Sequence, residues 1–506
     1  MLPFLLRRLL WALPTLLLVS LASFLFLSFV PDPTDDPEVR ASLSIDQLDA
    51  MRRERFVDLP RFLNLSPLDA RRRSLDALSM VAAGGVDAER GAAELVRIGA
   101  AALPHVVPAL DGFEPETRQR VALALAPIAE RMHLPNRADA SRADSAALYW
   151  ARVWANRSVD FTPSGVRTAV ERLSRYRTES RGEEVEELDT YALEALVARL
   201  PQPEDAADVE VARALVEVLA HATGRDDRVP PGASVAQARA VVERWRAYWF
   251  VYGTDYRTLD GAGRASALVL ETRYGKWAYA VVTSFGADGQ APPALLRVLG
   301  GAPTTFVIVF GAIAIAYSLG VALGVLSALQ RGRKADVAIA VTVLAANAVP
   351  TAVVAVALRS THASTSLLWA TLVVAAGLVA APTRHQRSAL TTTLSSDFVR
   401  AAVARGAGPF RTVVFHGLRN SLIPVVTLAT LEPPMALGAT FVVEHVFALR
   451  GLGAMTVEAV GARDTGFLMA LSVLLAAVAS LAVVVTDVAH ALVDPRSRHK
   501  LARGRT

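Results

Sequence analysis

A run of 22 residues without a single charge, 9–30, is the strongest constraint in this chain. A helix needs about 20 apolar residues to cross about 30 Å of hydrocarbon, so the run is long enough to span a bilayer. Further charge-free runs occupy 303–330, 337–358, 363–383 and 465–486, and a sixth apolar stretch, 421–443, carries one carboxylate, Glu432. In lipid only helices and closed barrels satisfy their own backbone polar groups. Continuous apolar runs of this length, without strand-like alternation, therefore predict an all-α, polytopic helical membrane protein with six spans. Arg7 and Arg8 precede the first run, which closes on Phe29-Val30 and is followed by Pro31-Asp32-Pro33. A cleaved signal peptide has a shorter apolar region and a small-residue cleavage site, so a retained first helix is expected.

Charge divides the chain in two. Residues 31–290 hold 33 Lys+Arg against 40 Asp+Glu, whereas the rest holds 20 against 8. The basic excess lies between apolar runs, which speaks against nucleic acid as a partner and for a lipid bilayer. Basic residues beside spans are retained on the cytoplasmic side. With the N-terminus inside, sixteen of them (Arg7 and Arg8, 331–334, 384–419 and 496–505) fall in cytoplasmic segments and only Arg359, Arg450 and Arg463 in short outer loops. Both termini are thus expected in the cytoplasm, and 31–290 outside. The expected organisation is a first transmembrane helix at 1–30, an extracytoplasmic insertion at 31–290 and a core with five helices at 291–506. Cysteine is absent from the sequence, which removes disulfides, thiolate metal sites and cysteine nucleophiles.

Within 31–290 the periodicity is helical. Residues 103–110 and 118–128 read as an antiparallel helix pair, and 196–200 with 211–219 repeat the pattern. Trp150, Trp154, Asp160 and Phe161 recur as Trp245, Trp249, Asp255 and Tyr256, always 95 residues on. The pairs resemble HEAT-like repeats, whose neighbours stack to bury a shared core. The aromatic positions read as core packing between helices. The nine His are scattered along the chain, and within 31–290 no sequence spacing groups them with carboxylates. Neither a catalytic constellation nor a metal site is therefore expected.

The most informative segment lies between the fourth and fifth apolar stretches. It contains Asp397-Phe398-Val399-Arg400-Ala401-Ala402-Val403-Ala404-Arg405-Gly406, and then His416-Gly417-Leu418-Arg419-Asn420 with Pro424. Ala401 and Ala402 are small enough to let a helix approach a partner surface, and Gly406 can end that helix without a Cβ penalty. Arg400, Arg405 and Arg411 supply charged contacts around it.

This pattern resembles the cytoplasmic signature loop of ABC importer membrane subunits, in the version found in the dipeptide, oligopeptide and nickel permease family. The resemblance extends to Phe4-Leu5-Leu6-Arg7-Arg8-Leu9, Pro14-Thr15 and Pro31-Asp32-Pro33, then to Gly320, Gly324, Ala328, Pro350, Arg384 and Arg387. It continues through Glu444-His445-Val446-Phe447, Gly451-Leu452-Gly453, Arg463-Asp464, Asp487 and Asp494-Pro495-Arg496, and covers about 250 of the 506 residues. It implies a permease subunit of a binding-protein-dependent importer in a bacterial inner membrane. The implied partners are a second homologous permease, two ABC ATPase subunits and an extracytoplasmic solute-binding protein. ATP and Mg would be held by the ATPase subunits. This chain has no Gly-x-x-x-x-Gly-Lys-Ser/Thr loop, so a non-catalytic role without its own cofactor is expected. The implied ATPase-coupling residues are Arg400, Ala401, Ala402, Arg405, Gly406 and Pro424.

Three departures accompany the resemblance. Arg400 stands where the broader importer triplet is acidic, Arg450 replaces a proline before Gly451-Leu452-Gly453, and the 31–290 insertion is far longer than the usual segment. The replacement at Arg450, with an outer loop between the third and fourth runs cut to a few residues around 359–365, motivates an alternative: a permease-derived anchor that displays a helical scaffold to envelope partners. Glu432, followed by Pro433-Pro434 within an apolar stretch, must face protein or water. It reads equally as a lining of the translocation pathway and as a structural hydrogen-bond partner.

Overall fold

The computed structural model describes residues 2–282, 294–361 and 366–493. The start of the fourth apolar run (363–365) and the closing Asp494-Pro495-Arg496 lie outside the described residues, as does the side chain of Asp487. All regular structure among the described residues is helical, without a strand. The chain forms two compact units, one from 1–33 with 294–506 and one from 34–293.

In the first unit, Leu2–Leu27 forms one helix that packs against the last, Thr465–Val493. The second apolar run belongs to a longer helix, Ala294–Leu329, whose 36 residues run to about 54 Å. It exceeds the hydrocarbon thickness and carries Arg297 in its first turn, paired with Asp464 at 2.7 Å. Its small-residue stripe is a packing seam. A Cβ on Gly320 would come within 2.7 Å of Pro382, and one on Gly324 within 2.7 Å of both Gln386 and the Thr383 carbonyl. Small residues are what allow helices to approach this closely in lipid.

The third run is not the single straight span its composition predicted. It is broken into Lys334–Ala348 and Thr351–Thr361, bent by 78°. The cause is local: Val349 precedes Pro350 and is held extended at φ −85°, ψ 121°, because proline crowds the α conformation of its predecessor. The fourth run likewise divides into Leu367–Leu378 and Ala380–Leu394, bent by 44°. Arg419–Phe447 supplies the fifth span and then turns by 76° into Leu452–Gly461. With each bent pair counted as one span and Arg419–Phe447 as one, the first unit holds six candidate spans among the described residues, by length and composition. One more stretch, Val86–Gly112, is as long and apolar as a span, but 56% of it is buried inside the 34–293 unit and it is broken at Gly99.

In the 34–293 unit the two segments that read as repeat copies differ in structure. The arm expected at 103–110 is only a four-residue helix, Leu103–Val106, between 3-10 turns at Gly99–Ala102 and Val107–Gly112. Pro104 and Pro108 remove the backbone donors a longer helix would need. The second copy is more regular, with Leu193–Arg199 and Ala206–Thr223. The tryptophans are core residues in both copies. Trp150 and Trp245 are 0% and 1% exposed, and their indole N–H groups donate to the carbonyls of Ala122 at 3.1 Å and Asp227 at 2.8 Å. The equivalent aspartates differ. Asp160 pairs near the surface with Arg157, whereas Asp255 is buried among Arg53, Arg73 and Arg97 at 2.9, 3.0 and 2.7 Å.

Candidate coupling loop and membrane cavity

Asp397–Ala404 forms an eight-residue helix, entered through Ser396 in an extended conformation and with Asp397 in its first turn, where a negative charge suits the helix dipole. It ends as its glycine predicted. Gly406 adopts φ +89° and its N–H donates to the Val403 carbonyl at 2.9 Å, while Ala407 N–H closes on Ala402 at 3.1 Å. A Cβ added to Gly406 would find no atom of this chain within 4 Å.

The two alanines do not act together. Ala401 is exposed, whereas Ala402 is 6% exposed and turns inward with Val399. Only Ala401 is thus available to an incoming surface, a correction to the expected double-alanine face that follows from the 100° step between successive helical residues. Arg400 and Arg405 are exposed and tethered locally. Arg400 donates to the Ser395 carbonyl at 3.0 Å and Arg405 Nε to the Ala401 carbonyl at 3.2 Å. Around them stand Phe398, Val403, Phe410 and Phe415, exposed by 46, 53, 76 and 65%. The sequence reading missed these apolar side chains. Their signal was available, since an apolar residue in a short basic loop between spans has no lipid to face.

Beyond Gly408 the chain passes through Pro409–Arg411 into a π-helical turn, Thr412–Leu418, and then into Arg419–Phe447. Gly417 in that turn packs close to the 380–394 helix, where a Cβ would lie 3.0 Å from Leu390 and 3.1 Å from Leu394. The loop is therefore joined mechanically to two membrane helices. Pro424 is exposed on the second turn of the long helix, where it cannot donate to the carbonyl of Asn420.

Glu432 lies elsewhere in the unit. Its carboxylate accepts a hydrogen bond from the Tyr317 hydroxyl at 2.9 Å, across two helices. Beside this pair opens a cavity of about 560 Å³ lined by Phe310, Tyr317, Val425, Ala429, Pro433 and Val478 among others. Glu432 thus has a structural partner and stands next to the largely apolar cavity.

Two further carboxylates explain motifs that resemblance alone had marked. Glu444 is fully buried and accepts the N–H of Gly453 at 2.7 Å, capping the helix Leu452–Gly461. A Cβ on Gly451 would collide with that carboxylate, and one on Gly453 with the backbone of Phe441, so both glycines are sterically required. Asp336 receives both arms of Arg387 at 2.7 Å, together with Ser327 at 2.5 Å and the Gly332 N–H at 3.0 Å. It ties the start of the broken third span to the 380–394 helix.

In the 34–293 unit the fold brings together donors that sequence spacing keeps apart. His133, Glu186 and His221 are far apart in the sequence, yet one donor atom from each lies within 4.8 Å of the others. Sequence spacing could not reveal this, because a turn and two separate helices bring the donors together.

Comparison with known proteins places the first unit. Residues 320–499 match the family described as binding-protein-dependent transport system inner membrane component, and the match lies wholly outside 34–293. The chain is 32% identical over 214 residues to a dipeptide transport system permease protein of Bacillus subtilis, covering 40% of this chain and 70% of that protein. It is 36% identical over 130 residues to an oligopeptide transport system permease protein of the same organism, covering 26% and 41%. An oligopeptide transport system permease protein of Mycobacterium tuberculosis is 38% identical over 133 residues, again covering 26% and 41%. With its helical spans and these matches, the chain belongs to the family of inner-membrane permease components of binding-protein-dependent transport systems.

Proposed function

We propose that this chain is the permease subunit of an ABC importer that moves peptides, or a related small solute, across a bacterial inner membrane. The observation that carries the reading is the exposed helix Asp397–Ala404, bordered by Phe398, Val403, Phe410 and Phe415 and built onto two membrane helices through Gly417. An unpartnered apolar patch of this kind marks a protein interaction surface. Its occupant is an ABC ATPase subunit, with Ala401 allowing close approach and Arg400 and Arg405 flanking it. A second permease, a second ATPase and a solute-binding protein complete the assembly. The termini and the 395–411 loop are cytoplasmic, and 34–293 is extracytoplasmic. ATP and Mg act on the partner subunits, and this chain contributes no catalytic residue and no nucleotide site of its own. Its part is alternating access: closure of the ATPase pair moves the docked loop, and the 380–394 and 419–447 helices carry that movement to the cavity beside Tyr317 and Glu432.

Gentle detergent extraction of the tagged chain and of Gly406→Asp, followed by mass spectrometry of co-purifying proteins, tests this. ATPase subunits should accompany the parent and be depleted from the variant. Their absence from both, with other envelope proteins present instead, supports the scaffold reading, which the size of the 34–293 unit favours. In the transport reading that unit contacts the solute-binding protein, so deletion of 40–285 should reduce uptake of a labelled dipeptide. Unchanged uptake would remove that role.

A further inference from the structure

We propose that His133, Glu186 and His221 form a divalent transition-metal site in the 34–293 unit, with Zn²⁺ as the representative ion. Three donors drawn from three separate elements converge there. His133 follows the helix Ala126–Arg131, Glu186 ends the helix Glu179–Glu186, and His221 lies in the last turn of Ala206–Thr223. One ligand atom of each lies within 4.8 Å of the other two. Donors on one tetrahedral Zn²⁺, with bonds of about 2.0–2.1 Å, sit about 3.4 Å apart, so side-chain rotations of about 1 Å would close the set.

Independent features of each donor support the assignment. The Nε2 of His221 lies 3.2 Å from the Arg131 carbonyl. A carbonyl only accepts, so in this arrangement Nε2 donates and a metal would take Nδ1. A backbone carbonyl holding the far side of the imidazole is the usual means of orienting a metal-binding histidine. His133 occupies the left-handed region at φ +51°, between Met132 and Leu134, which are 0% and 1% exposed. Those two anchors keep the backbone in place while the His133 ring stands outside the core, 5.2 Å from the His221 ring. Strained positions of this kind concentrate where a side chain must be held for binding. The neighbours of Glu186 are neutralised, Glu184 by Arg172 and Arg181 and Glu187 by Arg157. Among the described residues Glu186 itself has no cationic partner.

The donor set selects the class of ion. Two imidazoles and one carboxylate suit Zn²⁺, Ni²⁺ or Co²⁺ rather than Mg²⁺ or Ca²⁺, which prefer oxygen ligands throughout. Three protein ligands leave a fourth position for water or for a donor from a partner. The ion would clamp the turn after Ala126–Arg131 to the helices Glu179–Glu186 and Ala206–Thr223. This inference does not depend on the transport reading.

The test uses the full chain in detergent, carrying an affinity tag without histidines. Zn²⁺ binding is measured by competition with a chromophoric chelator, and the coordination geometry by the visible absorption of added Co²⁺. The expected result is one Zn²⁺ per chain, a tetrahedral Co²⁺ band, and affinity weakened at least about tenfold in His221→Asn and in Glu186→Gln. His105→Asn, which removes another histidine of the same unit, should bind as the parent does. A parent without Zn²⁺ affinity, or variants that bind as tightly as the parent, overturns the proposal. Glu186→Gln preserves shape at a helix end, so it decides the matter alone should His221→Asn fail to fold.

Discussion

Gly406 offers a graded perturbation, because its backbone turns at φ +89° while the space around its missing Cβ is empty of this chain's own atoms. Replacing it therefore strains the turn without a clash inside the subunit. An L-residue in left-handed conformation is disfavoured by about 1–2 kcal/mol, least for Asn and most for a β-branched side chain. If the turn must hold this shape for the Asp397–Ala404 helix to dock, the loss passes directly into the docking equilibrium, a factor of roughly 5–30. The series Gly406→Asn, Gly406→Ala, Gly406→Val should then weaken binding of the ATPase subunit progressively in that order. Titration of purified ATPase onto the nanodisc-embedded chain reads this directly. The thermal stability of the subunit should hardly change, since the loop is exposed. The result that refutes the reasoning is Asn binding more weakly than Ala, because Asn is the larger side chain but the better one at positive φ. That order would mean the glycine serves close approach of the partner rather than the turn.

Gly453→Ala and Gly451→Ala should sharply reduce the yield of monodisperse protein from membranes, because their Cβ atoms meet Phe441 and Glu444, whereas Gly461→Ala, with nothing within 4 Å, should not. Glu432→Gln keeps an acceptor for the Tyr317 hydroxyl and should leave the yield unchanged while lowering uptake of cationic peptides more than neutral ones; equal uptake would confine Glu432 to a structural role. Trp150→Ala and Trp245→Ala should each destabilise the 34–293 unit by about 3–5 kcal/mol, seen as faster proteolysis of that unit, because each empties a buried site. Burial, then the charge of Arg71, holds the His105 imidazole below its ordinary range. Unfolded His105 therefore takes up a proton near pH 6.5 while folded His105 does not, so the unit should lose stability as the pH falls below about 6.5, and His105→Gln should flatten that dependence in pH-resolved proteolysis.

The parts of this molecule that are legible in its sequence are those set by local rules. Continuous apolar runs are enough to find the spans, because lipid demands a complete backbone ladder within each segment. A glycine after a short helix announces its own turn, as at Gly406, and a small residue every fourth position announces a seam, as at Gly320 and Gly324. Failures come where a property depends on the orientation of a helix face or on partners distant in sequence. Ala402 looked equivalent to Ala401 until one helical step turned it inward. The break at Val349-Pro350 carried a local signal, yet hydropathy alone averaged across it. Glu444 is the clearest case of distant partnership within one unit. Its sequence motif marks a carboxylate followed by two glycines, but the reason for the glycines is a buried carboxylate capping a helix that turns back by 76°. His133, Glu186 and His221 carry the same logic further, since nothing local to any of them specifies the other two. Motif reasoning thus finds a site when one segment supplies the chemistry, as in the 395–411 loop. It passes over a site assembled by tertiary packing, and the 34–293 unit is where packing, rather than motif, determines which groups meet.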